Sequence, residues 1–107
     1  MKKFILIVCF ASFFGVSFSQ NFNELINLKR YAMANKELPE ASKNEKRVVF
    51  IGNSITEGWV NNHPEFFTSN NYIGRGIGGQ TSPQLLSRFR QDVLNLKPVA
   101  VVINIGT

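Results

Sequence analysis

A chain of 107 residues, 44% of them apolar, suits one small domain or part of a larger one. Its formal charge of +5 falls to +3 once Lys2 and Lys3 are set aside, leaving ten basic side chains against seven acidic. It has no basic run and no basic–aromatic interleaving, which argues against nucleic acid as a partner.

The first nineteen residues have the form of a secretory signal. Lys2-Lys3 supply the positive start, Phe4 to Phe14 the apolar core, and Ser17-Phe18-Ser19 a small-x-small cleavage site before Gln20. The apolar stretch is shorter than the roughly 20 residues of a membrane span, and Ser12, Gly15 and Ser17 dilute it. Residues 1–19 are therefore expected to be a signal peptide, with a secreted or periplasmic location and no stable span after cleavage. The single cysteine, Cys9, lies inside that leader. A mature chain without it has no disulfide, no thiolate nucleophile and no cysteine-based zinc site. Cys9 also sits within the apolar core rather than after it, the wrong place for a lipidated cysteine.

Phe22 to about Lys36 predicts a helix with a loose apolar face of Phe22, Leu25, Ile26, Tyr31 and Met33. Its expected role is a lid against one edge of a sheet. Leu38-Pro39 ends it, and Glu40 to Lys46 reads as a polar linker. Residues 20–45 thus form an N-terminal helix and linker, and 46–107 begin the main domain.

Arg47 to about Ile51 predicts a buried parallel strand, which runs into Gly52-Asn53-Ser54. A serine there projects at the carboxyl edge of the sheet, where open α/β folds place their ligands. Ser54 is the candidate nucleophile. A short helix carrying Trp59 follows, then a helical turn opened by His63-Pro64 and anchored by Phe66 and Phe67. Tyr72-Ile73 predicts a second, short strand that ends in Gly74-Arg75-Gly76-Ile77-Gly78-Gly79. The next helix has Ser82 as N-cap and Pro83 as its first residue. Leu85, Leu86, Phe89, Val93 and Leu94 form its expected apolar stripe, with Arg88, Arg90 and Gln91 outside. Lys97-Pro98 stops it. Val99 to Ile103 is apolar enough for a central parallel strand. Strand, helix, strand, helix, strand argues a doubly wound α/β sheet. Three strands are an incomplete sheet of that kind, so the chain is expected to be the N-terminal part of a longer domain, truncated after the third strand.

The glycine-rich turn after the second strand offers backbone N–H groups free of side-chain obstruction, which suits stabilising an oxyanion. Gly52-Asn53-Ser54-Ile55, Gly76-Ile77-Gly78-Gly79-Gln80-Thr81 and Ile105-Gly106-Thr107 together resemble the first three sequence blocks of the GDSL-type, or SGNH, esterase and lipase family. The resemblance covers roughly residues 45–107. It implies a flavodoxin-like sandwich and a serine hydrolase of acyl esters, small-molecule or carbohydrate, with no cofactor and no metal. By that resemblance Ser54 is the nucleophile and its N–H one oxyanion donor, and Gly79 N–H is the second. The family's third donor is an asparagine directly after the Gly-Thr of the third block, and its aspartate and histidine come near the end of the domain. Asn53 departs from the family's aspartate but remains a hydrogen-bond acceptor.

Other patterns compete with this one. Gly52-x-Ser54-x-Thr56 lacks the second glycine of an α/β-hydrolase elbow. Gly74-x-Gly76-x-x-Gly79 matches the dinucleotide fingerprint formally, but Asn104-Ile105-Gly106 stands where that motif wants an acid. Gly52 and Gly58 make no phosphate loop. His63, the one histidine, reads as a surface or helix-capping residue, and Asp92 as a solvated helix residue. The alternative from another functional class is a non-catalytic carbohydrate-binding module on the same scaffold.

Overall fold

The computed structural model describes Phe22 and residues 24–106. The expected signal peptide and its cleavage site lie outside the described residues. Among those described, no helix is long and apolar enough to cross a membrane.

The elements are α1 (Ala32–Glu37), β1 (Val48–Gly52), α2 (Ser54–Asn62), α3 (Pro64–Ser69), β2 (Tyr72–Gly76), α4 (Ser82–Asp92), a 3₁₀ turn (Leu94–Leu96) and β3 (Ala100–Asn104). All three strands are parallel, in the order β2-β1-β3. That is the start of the flavodoxin-like order, and the expected doubly wound α/β class is the one observed. The register aligns Gly52 with Gly76 on one side and with Asn104 on the other. Three strands therefore end level, and their following loops leave from one edge.

The strand pleat sends alternate residues to opposite faces. Val49, Ile51 and Ile73 pack with Leu85, Val93 and Leu96, so α4 covers one face. Phe50 meets Trp59, Phe66, Phe67 and Tyr72 at centroid separations of 5.0–6.4 Å, so α2 and α3 cover the other. Of the two phenylalanines expected to anchor α3, Phe67 is buried. Phe66 is partly exposed and stacks on Trp59.

On the α2 face glycines stand at the crowded points. A Cβ at Gly76 would overlap the backbone nitrogen of Glu57, and one at Gly74 would overlap Val60. A Cβ at Gly52 would overlap both the Thr56 hydroxyl and the Asn104 carbonyl. These residues let α2 sit on the sheet at backbone contact. That also corrects the short second strand expected from Tyr72-Ile73: β2 runs on through Gly74-Arg75-Gly76. Glycine inside a strand marks close approach of another backbone, and here the approaching backbone is α2.

Two other expectations are corrected. The helix expected over Phe22 to Lys36 is interrupted: Asn27 adopts φ 57°, and regular helix resumes only at Ala32. Asparagine tolerates that left-handed conformation better than most residues. The carbonyls freed by the break are capped by glutamines. Gln84, Gln80 and Gln91 donate from their amides to the carbonyls of Leu25, Ile26 and Leu28, at 3.1, 2.6 and 2.7 Å. The second correction concerns α4. Thr81, not Ser82, is its N-cap, in a capping box with Gln84. Its buried stripe is Leu85, Arg88, Asp92 and Val93, while Leu86 is 72% exposed. Arg88 and Asp92, expected outside, are completely buried.

β3 lies at an edge of the described sheet, with Ile103 56% exposed. The opposite edge, β2, is blunted by side chains. The Tyr31 hydroxyl donates to the Gly76 carbonyl, and Arg75 Nη1 donates to the Gly74 carbonyl at 2.8 Å.

The contrast between two glycines gives a test. Gly58 lies inside α2, and the nearest atom to a Cβ there is Asn62 Nδ2 at 4.0 Å. Gly58→Ala should stabilise the protein by roughly 0.5–1 kcal/mol through helix propensity. Gly76→Ala should destabilise it by about 1–3 kcal/mol through overpacking. Urea unfolding of the two variants checks both signs.

Candidate active site

The carboxyl edge of the sheet gathers three loops. The first follows Gly52, whose carbonyl accepts the Ile77 N–H at 3.0 Å and Arg88 Nη2 at 3.2 Å. Asn53 links strand to helix, and Ser54 opens α2 on the exposed surface. The first helical bond runs from Glu57 N–H to the Asn53 carbonyl at 3.1 Å, and the Asn53 side chain makes no cap bond. The N–H groups that open α2, that of Ser54 among them, have no acceptor within the helix. With the positive end of the helix dipole they create a local preference for negative charge at Ser54.

The second loop is Ile77-Gly78-Gly79-Gln80, closed by a Gln80 N–H to Ile77 carbonyl bond of 3.4 Å. Gly79 has φ +78°, at the position where a type II turn needs a positive value. A Cβ on Gly78 would stand 3.8 Å from Ser54 Cβ and 3.3 Å from Glu57 Oε1. The turn therefore lies directly against the candidate nucleophile. Gly79 is exposed, and a Cβ there would have nothing within 4 Å, so conformation rather than space demands glycine. The third loop leaves β3 through Ile105 and Gly106 from the same edge.

Ser54 and the glycine turn are thus brought together. His63 is not. It follows the last residue of α2, roughly 13 Å along the helix axis from Ser54 at 1.5 Å per residue. It is exposed, with Nδ1 3.7 Å from Glu65 Oε1.

Asp92 is not solvated. Its Oδ2 accepts Arg88 Nη1 at 3.1 Å, and its Oδ1 accepts Asn35 Nδ2 at 2.7 Å and Gln91 Nε2 at 3.0 Å. Asn35 Oδ1 accepts Arg75 Nε at 2.8 Å, and the Arg75 guanidinium lies over the Tyr31 ring. Burial lowers the pKa of both Arg75 and Arg88, yet a guanidinium remains a cation. A buried polar layer therefore backs the site on the face opposite α2. Sequence reasoning missed Arg88, Gln80 and Glu57. A signal existed for the first: Leu85, Arg88 and Asp92 follow three-and-four spacing and so share one helix face.

Among the described residues, no group of three His, Cys, Asp or Glu side chains could hold a metal ion.

No family model matches the chain, and neither does any curated protein. Solved structures do. A protein of Bacteroides fragilis, provisionally assigned as an acylhydrolase, superposes with a TM-score of 0.75 at 72% identity over 77% of this chain. A GDSL-like lipase of Bacteroides thetaiotaomicron gives a TM-score of 0.75 at 64% identity over 78% of it. The chain spans only 39% and 40% of the lengths of those two proteins.

Tyr31 allows a pH test of the layer behind the turn. Burial pushes its hydroxyl above the ordinary 10.0, an effect opposed by Arg30 and reinforced by Glu57. A pKa raised on folding gives stability that is present below the unfolded value and lost as pH rises through the folded one. Tyr31→Phe should be less stable than the parent at neutral pH, and the difference should shrink above about pH 10. Melting temperatures measured from neutral to alkaline pH check this.

Proposed function

This chain belongs to the GDSL/SGNH-type hydrolase family, whose N-terminal part it carries, and from that premise we propose that the complete protein is an exported serine esterase of small acyl esters. The observation that carries the reading is the meeting of two loops from different strands, with the Gly78 Cβ position 3.8 Å from Ser54 Cβ. A nucleophile alone at a helix start would be an ordinary capping serine. A nucleophile against a turn rich in unobstructed N–H groups has the parts of an acyl-transfer site.

In the proposed reaction an imidazole deprotonates Ser54 Oγ as it attacks the ester carbonyl. The new C–O bond pushes the carbonyl electron pair onto oxygen, where the N–H groups of Ser54 and Gly79 receive it. The intermediate collapses, the alcohol leaves with the proton from the imidazolium, and water then releases the acid from the acyl-serine. His63 is too far along α2 for the basic role. The base, its carboxylate partner and a third oxyanion donor are assigned to the part of the family chain that follows block three. The ester is proposed to be that of a small alcohol or a carbohydrate.

In the complete protein, Ser54→Ala should abolish hydrolysis of a short-chain ester, together with fluorophosphonate labelling, while leaving the melting temperature nearly unchanged. Undiminished turnover would remove Ser54 from the mechanism. Gly79→Val forces a β-branched residue into φ +78° and should lower kcat by about 10² or more with a smaller change in KM. A rise in KM alone would make the turn a ground-state binding element.

Export is proposed from the lysine pair, short apolar core and Ser17-x-Ser19. N-terminal sequencing of the mature protein should begin at Gln20, and a retained Met1 would refute cleavage.

A further inference from the structure

Resting on the hydrolase reading, we infer that Arg88 is a positioning residue: its guanidinium holds the nucleophile strand and the oxyanion turn at a fixed separation. Arg88 reaches three acceptors from a site with 0% exposure. They are the Gly52 carbonyl at 3.2 Å, Gln80 Oε1 at 2.6 Å and Asp92 Oδ2 at 3.1 Å. Gly52 stands two residues before Ser54, and Gln80 directly after Gly79. The same Gly52 carbonyl accepts the Ile77 N–H at the start of the turn. The turn is therefore tied to the end of β1 at both its ends, by backbone at Ile77 and through Arg88 at Gln80.

The fork geometry matters more than the charge. A planar guanidinium meets three acceptors in fixed directions, whereas an ammonium is a point charge on a flexible stem. Gln80 is itself anchored, because its Nε2 donates to the Ile26 carbonyl at 2.6 Å. Neither Arg88 nor Gln80 is assigned contact with the substrate. Their effect on rate passes through the placement of Ser54 and Gly79, where an error of about 1 Å can cost about 10²-fold.

The test uses the complete protein with active sites counted by fluorophosphonate titration. Arg88→Lys keeps the charge beside Asp92 and loses the fork. Gln80→Met keeps size and loses both the acceptor for Arg88 and the donor to the Ile26 carbonyl. Both should lower kcat per titrated site by about 10- to 100-fold with KM within about threefold. Asp92→Asn changes the partner of Nη1, the guanidinium nitrogen that bonds neither Gly52 nor Gln80, and should lower the melting temperature with kcat within about threefold. A purely structural Arg88 would lower melting temperatures while leaving kcat per titrated site at the parental value. That result in Arg88→Lys and Gln80→Met, with an active parent, would overturn the role of Arg88 and leave the hydrolase reading standing. An equal kcat loss in Asp92→Asn would also overturn it, by spreading the effect over the whole polar layer. If Arg88→Lys does not fold, Gln80→Met decides the matter alone. A parent that neither labels at Ser54 nor turns over would overturn both readings.

Discussion

The seating of α2 on the sheet is the constraint from which the rest follows. Helices usually pack on sheets through side chains, which keep the two backbones apart. Here Gly52, Gly74 and Gly76 remove the side chains under α2, and Thr56, Glu57 and Val60 come down into the space. The helix then begins immediately after the strand, with Asn53 as the sole link. Its first residue, Ser54, is held where three strand ends converge. Loosening that contact would move the serine, the helix dipole and the opening N–H groups as one body.

On the opposite face the fold spends a completely buried ion pair where an apolar stripe would have sufficed. Burying Arg88 and Asp92 carries a desolvation cost of several kcal/mol per ion, which mutual attraction offsets only when the remaining hydrogen bonds are also made. Both ions have them: the guanidinium meets Gly52 and Gln80, and the carboxylate meets Asn35 and Gln91. The layer extends to the N-terminal segment through the glutamine caps on Leu25, Ile26 and Leu28. That segment is therefore more than a lid on a sheet edge. It closes the back of the turn and supplies the acceptor that anchors Gln80.

How much of this was legible depended on whether the cause was local. The stretches Arg47 to Ile51 and Val99 to Ile103 read as strands because apolar strand formers run nearly unbroken between polar or glycine stops. Pro64 and Pro83 marked helix starts because proline loses nothing there. Ser54 and the glycine turn read as a pair because parallel strands end at one edge. Two of the misses share a cause, a partner far away in sequence. Gly74-Arg75-Gly76 looks unlike a strand until α2 lies on the glycines and Asn35 with Tyr31 receives the arginine. The break at Asn27 needs glutamines more than fifty residues on. Arg88 looked solvated because charge outweighed spacing, although its position on the Leu85 face was visible.

The placement of β1 at the centre also bears on how the chain is made. Val48 pairs with Tyr72, 24 residues later, and with Ala100, 52 residues later. By loop-closure entropy the longer connection costs only about 0.6 kcal/mol more per doubling, so thermodynamics hardly orders the two pairings. Synthesis does, because translation delivers β2 before β3. Until then Val48-Val49-Phe50-Ile51 is an apolar strand with two open edges, the kind of segment that seeds aggregation. Lys43, Glu45, Lys46 and Arg47 stand immediately ahead of it. In the finished fold Glu45 and Arg47 pair with each other, and Arg47 bonds the carbonyls of Pro39 and Leu96. Charges flanking an unavoidable apolar strand are the general device against such aggregation, and here two of the four, Glu45 and Arg47, also fasten the entrance of β1 in the folded chain.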